Sequence, residues 1–183
     1  MLMLVGNKFP LDESYKFEVK KLPCGVPVDA EIYDSLVAML DAGTAEGCSF
    51  HVNTAFRTID EQKALFAKHM KIHMDKGLDE NAAYDVVKTI IAIPGRSEHH
   101  TGLAVDILSV DHRALDDAYG ETKEAKWLAE NCHKFGFILR YPGDKCEITG
   151  VIYEPWHFRY VGEDAASEIM SKGICLEEYL GIL

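Results

Sequence analysis

Two short stretches of this chain concentrate the side chains that metals and protons use. The first is Ser97-Glu98-His99-His100-Thr101-Gly102-Leu103-Ala104-Val105-Asp106, and the second is Glu154-Pro155-Trp156-His157-Phe158-Arg159-Tyr160. Each places an imidazole near a carboxylate. A hydrolytic zinc centre takes three protein ligands and keeps a fourth position for water, and His99, Asp106 and His157 could supply that set. His99 and Asp106 are seven positions apart, which on one unbroken strand would send them to opposite faces. The Thr101-Gly102 pair offers a break that brings both to one centre. Spacing alone does not choose between His99 and His100, and a single histidine is more often a surface or satisfied interior residue than a ligand. Asp106 is harder to dismiss, because it lies in an apolar strand, where a carboxylate without a cation or donors is costly.

Glu154 precedes His157 by three positions, and Pro155 between them disrupts regular pairing, so both side chains can turn to one centre. A second carboxylate beside an activated water has the chemistry of a general base. The alternative is an ordinary surface Glu at a strand entrance. Trp156 is expected to pack against the site and exclude water from it. Arg57 stands just before a helix start, where a cation is mildly unfavourable for the macrodipole. It therefore needs a partner, either a substrate carboxylate gripped in a bidentate pair or a structural salt bridge. Gln62, on the following helix, could assist it. Tyr141 could hydrogen-bond a substrate or simply pack.

The elements that must hold these groups follow from periodicity and caps. Residues 1–5 read as a first strand ended by the Gly6-Asn7 turn. A helix over 30–41 is capped by Asp29 and buries Ile32, Leu36 and Leu40, with Gly43 and Gly47 bracketing the loop out. Residues 49–54 alternate as a half-buried strand. Thr58 and Glu61 form a capping box that opens a helix to about Lys76. Asp79 starts another, striped by Ala83, Val86, Val87, Ile90 and Ile91. Residues 103–108 form a strand with Ala104, Asp106 and Leu108 on one face, and 109–120 a loop. A helix over 122–134 is followed by short strands at 137–140, 151–153 and 157–161, and by short helices at 165–172 and 176–180. Helices first and strands clustered later predict an α+β fold with a small antiparallel sheet.

At 183 residues and 48% apolar composition, the chain has the size and core of one domain spanning 1–183. Its formal charge of −11 argues against nucleic-acid or anionic-membrane binding, both of which need basic surface. No apolar run approaches the roughly 20 residues of a membrane span, so no membrane insertion is expected. The apolar start is too short for a signal peptide. Five cysteines, none spaced as a metal or redox pair, fit reduced thiols. The expected residence is cytoplasmic. The oligomeric state is left open.

The pattern Ser-x-His-x-x-Gly-x-Ala-x-Asp followed by Glu-Pro-Trp-His-x-Arg-Tyr-Val resembles the zinc D,D-carboxypeptidases and D,D-dipeptidases of the VanY and VanXY type, within the lysostaphin, D-Ala-D-Ala peptidase and hedgehog-like fold. The match extends to Phe56-Arg57-Thr58 with Gln62, to residues 136–142, to Glu147-Ile148-Thr149-Gly150 running into Tyr153, and to Leu4-Val5-Gly6-Asn7-Lys8 with Pro10-Leu11. The resemblance implies a Zn2+ cofactor held by His99, Asp106 and His157, and so selects His99 over His100. It makes Glu154 the catalytic base and places Arg57, Gln62, Ser97 and Tyr141 at the substrate, with Trp156 beside them. The implied partner is a D-Ala-terminated peptide, from which the terminal D-alanine would be removed, D-Ala-D-Ala included. The sequence departs from the family pattern at Ala55-Phe56, where Gly-Tyr is usual. Two other readings keep the zinc: a peptidoglycan endopeptidase, favoured by a cleft open at both ends, and a non-catalytic binding module, against which Glu154 argues. Residues 109–120 could set substrate size by covering the cleft.

Overall fold

The computed structural model describes residues 2–182. Its first regular element is not a strand over residues 1–5. Met1 lies outside the described residues, and 2–5 lie on no neighbouring strand. Instead Met3 O accepts a hydrogen bond from Arg159 Nη2 at 3.0 Å, a side chain where a ladder partner would stand. The segment then closes in a reciprocal Gly6–Phe9 turn, with N···O distances of 2.9 and 2.8 Å. The first strands are β1 (Val19–Lys21) and β2 (Pro27–Asp29), an antiparallel hairpin in which Val19 faces Asp29.

Asp29 caps α1 (Ala30–Ala45), its carboxylate accepting from Glu31 N at 2.9 Å. The buried face is Ile32, Leu36, Met39 and Gly43, so the helix runs a turn beyond the expected stop. Phe50 and Trp127 press against Gly43 within this last turn. A Cβ there would lie 2.4 Å from the Phe50 ring, so the close approach requires a glycine.

β3 (Phe50–Thr54), β4 (Ala104–Ser109), β5 (Phe137–Leu139) and β6 (His157–Tyr160) make a four-stranded antiparallel sheet in the order β3-β4-β6-β5. This is the α+β fold with a small antiparallel sheet read from the sequence. All six residues of β4 are buried. Val105 and Ile107 pack on Ile32, Leu36 and Met39 of α1, with Phe158 and Leu128 completing the core. Burial of such side chains contributes roughly 1.5–3 kcal/mol each, which makes β4 the most firmly seated element.

Two helices stand outside this core. α2 (Ile59–Asp75) opens with the expected box: Thr58 Oγ1 accepts from Glu61 N at 3.2 Å, and Glu61 accepts from Thr58 N at 2.8 Å. α3 (Glu80–Val87) packs against it and ends before Ile90 and Ile91, which fall in the loop that follows. α4 (Lys123–Asn131) buries Trp127 and Leu128. α5 (Cys146–Thr149) is a single turn, and residues 151–153 run irregularly rather than as the expected strand. Their one ladder-like contact, Ile152 N to Thr89 O at 3.1 Å, is to a loop and cannot propagate. α6 (Glu163–Lys172) and α7 (Leu176–Tyr179) cover the β5 side of the sheet. No helix among the described residues is long and apolar enough to cross a membrane.

Candidate metal centre and cleft

Adjacent strands bring two of the three candidate ligands together. Asp106 on β4 pairs in register with His157 on β6, so both side chains leave the same face. His99 arrives from a single 3₁₀ turn, Glu98–Thr101, whose first amide bonds are organised by Ser97: its hydroxyl accepts from His99 N at 3.3 Å. Gly102 ends the turn at φ +72°, a left-handed conformation that redirects the chain into β4. This is the break expected at Thr101-Gly102. A Cβ at Gly102 would lie 2.6 Å from the Phe17 ring and 2.8 Å from Asp29 N. Bonds from Asp29 N to Gly102 O and from Arg57 N to His99 O, both 3.1 Å, staple the turn on either side.

The result is a buried triangle. His99 Nε2 lies 3.3 Å from one Asp106 oxygen, and His157 Nδ1 lies 3.1 Å from the other. One ligand atom from each of the three residues lies within 4.8 Å of the others. The outer nitrogens decide whether such a set can hold a cation. His99 Nδ1 lies 2.7 Å from Ala55 O, a carbonyl that only accepts, so this nitrogen carries the proton and Nε2 offers its lone pair inward. His157 Nε2 lies 3.3 Å from Glu98 Oε2, which likewise turns Nδ1 inward as the donor atom. His100 has no such freedom. Its Nδ1 is held 2.7 Å from Arg57 O and its Nε2 accepts from Gly95 N at 3.1 Å, so both nitrogens are used. Two imidazoles and one carboxylate converging with a free approach fit a hydrolytic zinc centre.

The electrostatics follow from burial. Burial works against ionised Asp106, but His99 and His157 outweigh it and hold the carboxyl well below its usual range. Burial also opposes a charged His157, yet the bonds to Asp106 and Glu98 push it up to about 9. Glu154 is pushed up to about 8, chiefly by burial, which outweighs the pull of His157 and is helped by repulsion from Asp106 and Glu98. One Glu154 oxygen lies 3.8 Å from His157 Nδ1. The intervening Pro155-Trp156 closes in a turn, His157 N donating to Glu154 O at 3.1 Å, which returns the carboxyl to the centre as the spacing suggested.

His99, Asp106, His157 and Glu154 line a cleft of about 330 Å³ together with Arg57, Gln62, Ser97, Tyr141 and Trp156. All nine side chains singled out in the sequence thus meet in one place. Their contacts differ from one to the next. Arg57 Nη1 donates to Gln62 Oε1 at 2.8 Å, and Gln62 Nε2 donates to Ala92 O at 2.7 Å, so Gln62 holds the arginine. The Tyr141 ring lies 4.9 Å from the His157 ring, centroid to centroid. Trp156 packs with Leu108, Tyr119 and Ala125. Of the loop over 109–120, only Leu115 reaches the cleft wall.

Glu98 is the residue that sequence reasoning passed over. It is fully buried, with Oε1 2.8 Å from Arg140 Nε and 3.0 Å from Arg159 Nη1. The second contact is an ion pair not aligned as a hydrogen bond. Arg140 turns its other edge to Glu177 in α7 at 2.9 and 2.6 Å. Two arginines in apolar strand segments, Ile138-Leu139-Arg140 and Phe158-Arg159-Tyr160, were the available signal, since buried guanidinium groups require buried anions.

The family model described as VanY, D-alanyl-D-alanine carboxypeptidase, matches residues 26–163. A D-alanyl-D-alanine carboxypeptidase of Enterococcus faecalis is 41% identical over 180 residues, covering 98% of this chain and 65% of that protein. The chain spans roughly half to two thirds of the length of the curated relatives it matches. Among solved structures, VanYB in complex with D-alanine-D-alanine superimposes with a TM-score of 0.90 at 39% identity, covering 98% of this chain and 97% of that one. A vancomycin resistance D,D-pentapeptidase VanY in complex with Zn(II) gives 0.88 at 40% identity, with 98% of each chain covered.

Proposed function

Because this chain belongs to the VanY family of D-alanyl-D-alanine carboxypeptidases, we propose that it is a zinc-dependent D-alanyl-D-alanine carboxypeptidase. Its residues 1–183 would act as one catalytic domain, removing the terminal D-alanine of peptidoglycan precursors and of D-Ala-D-Ala itself. The observation that carries the proposal is the buried His99–Asp106–His157 triangle, with the Glu154 carboxylate 3.8 Å from His157 Nδ1. The Zn(II) and D-alanine-D-alanine complexes of its relatives support the same cofactor and substrate class. A reducing, cytoplasmic setting belongs to the proposal and rests on the cysteine pattern.

Each residue then has a task. Zinc held by His99, Asp106 and His157 supplies Lewis acidity, lowering the pKa of a water to about 7 and polarising the scissile carbonyl. Arg57 binds the free C-terminal carboxylate through its guanidinium, and Gln62 keeps that guanidinium aimed. Glu154 takes a proton as the water oxygen bonds to the carbonyl carbon, and returns it to the nitrogen as the C–N bond breaks. Desolvation makes Glu154 a stronger proton acceptor than an exposed glutamate, which suits both steps. Ser97 and Tyr141 line the cleft beside the substrate, and Trp156 keeps bulk water out. Thr89 and Ile152, on two segments that line the cleft, are joined by a backbone bond of 3.1 Å. A wall tied on that side suits loss of one terminal residue better than a chain running through.

Mass spectrometry of the products from D-Ala-D-Ala and from a muramyl pentapeptide tests the reading. Release of single D-alanine is expected from both. Internal cleavage would favour an endopeptidase instead, and zinc-loaded protein that releases nothing would favour a binding module. Full zinc occupancy in a His157→Ala variant would sink the ligand assignment.

A further inference from the structure

Asn7 is far from the metal triangle in sequence and makes no contact with it, yet hydrogen bonds joined through the Ala92–Ile93 peptide lead from its side chain to Arg57. Asn7 Nδ2 donates to Lys88 O at 2.6 Å, and Asn7 Oδ1 accepts from Ile93 N at 3.1 Å. The amide therefore grips both ends of the loop that follows α3. Its own position is fixed by the reciprocal Gly6–Phe9 turn and by Arg96 Nη1, which donates to Asn7 O. Between the two gripped ends lies Ala92, whose carbonyl accepts from Gln62 Nε2 at 2.7 Å. Gln62 Oε1 in turn accepts from Arg57 Nη1 at 2.8 Å.

Both amides are used at each end, oxygen to a donor and nitrogen to a carbonyl, so neither can flip without losing two bonds. Gln62 is also the only residue of α2 that is buried. Nothing else along that helix ties its inner face to the loop as directly. The same loop offers Thr89 O to Ile152 N, two residues before Glu154. A polar side chain that merely filled a gap would not need to bridge two backbone groups five residues apart on a loop touching both sides of the cleft.

We infer that Asn7 is a positioning residue, setting the Arg57 guanidinium for the substrate carboxylate through the loop over 88–93, Ala92 O and Gln62. The inference deepens the proposed function and rests on Arg57 being the carboxylate clamp. Losing Asn7 would let Ala92 O drift, freeing Gln62 and leaving Arg57 to sample orientations that do not meet the carboxylate. The cost falls on recognition of the terminal carboxylate, and the chemical step at the metal is spared.

The test compares N-acetyl-D-Ala-D-Ala as free acid with its C-terminal amide, taking KM and kcat for the acid and the competitive Ki for the amide. Asn7→Ala is expected to raise KM for the acid by about tenfold, the scale of one lost hydrogen bond to a charged group. kcat, zinc content and the Ki of the amide should stay within about twofold. Asn7→Asp keeps the size and the bond from Ile93 N but loses the donor to Lys88 O. It is the second variant should Asn7→Ala fail to fold, and a smaller rise in KM is expected. The double variant Asn7→Ala/Gln62→Ala should be no worse than Gln62→Ala alone, because both act through one path. Additive losses, or equal losses on acid and amide, would overturn the relay and leave Asn7 a general anchor of the fold. Arg57→Ala measured alongside separates the two ideas. If it leaves the preference for acid over amide intact, the clamp reading fails and the relay with it. If it abolishes that preference while Asn7→Ala does not touch it, the relay alone fails.

Discussion

β4 and α2 line the same cleft under opposite conditions. All six residues of β4 are buried, and its Asp106 is held between two histidines on a paired strand and a stapled turn. α2 has seventeen residues and buries only Gln62. The metal side is thus over-determined by core packing and by the buried ion pairs of Glu98 with Arg140 and Arg159 and of Arg140 with Glu177. The clamp side hangs from a few hydrogen bonds on a helix pair at the surface. Regions with few buried apolar contacts open at lower free energy than the core. The contrast suits the two tasks, since a metal needs a fixed geometry whereas a carboxylate must be admitted and released.

Four substitutions would break or sharpen that contrast. The largest effect is expected from Glu154→Gln, which keeps the size of the side chain but cannot take the proton. kcat should fall by about 10²–10⁴, with zinc stoichiometry and substrate affinity near normal on the same preparation. Wild-type turnover there would remove Glu154 from the mechanism. Next is Glu98→Gln, which still accepts from Arg140 but gives His157 Nε2 no anion. Zinc affinity by chelator competition should weaken by about 10–100-fold. An unchanged value would mean that packing alone orients the ring.

Arg57→Ala acts on the other side of the cleft. KM for free-acid substrates should rise by about 10–100-fold, the range for a hydrogen bond to a charged group, while zinc affinity stays put. A parallel loss of zinc would show that the two sides are not separable. The smallest effect is expected from Thr58→Ala, which removes the box that starts α2 and should cost about 1 kcal/mol. Hydrogen exchange should quicken along α2 and leave β4 untouched. Uniform acceleration would mean that the helix pair unfolds with the core.

How much of this could be read from the chain follows the same division. His99, Asp106, His157 and Glu154 stood out because their types are costly in an apolar setting and because two of them flank a break that Gly102 supplies. Spacing did not choose His99 over His100; the family resemblance did, and the physical reason is non-local, since it depends on which carbonyls meet the outer nitrogens, and Ala55 and Arg57 lie more than forty residues away. Capping predicted α1 and α2 because Asp29, Thr58 and Glu61 act over three residues. The failures are all non-local. Residues 2–5 and 151–153 have strand-like composition but meet a guanidinium and a loop instead of a neighbouring strand. Val19–Lys21 is exposed and charged, so its hairpin with Pro27–Asp29 left little alternation to find. Glu98 sat beside the ligand motif, but its partners are on β6 and just past β5, some forty to sixty residues away.

Gly102 has a consequence for anyone mapping tolerance to substitution in this chain. Its carbonyl serves Asp29, its backbone turns the ligand loop into β4, and the space where a side chain would begin is already filled by Phe17 and the Asp29 amide. Every replacement would therefore push the N-terminal hairpin and the His99 turn apart at once. In a mutational scan scored by activity, this position would be indistinguishable from a ligand or a base, although it touches neither substrate nor metal. A scan scored by abundance as well would tell them apart: Glu154 variants would accumulate as inactive protein, whereas Gly102 variants would be cleared before they could be assayed.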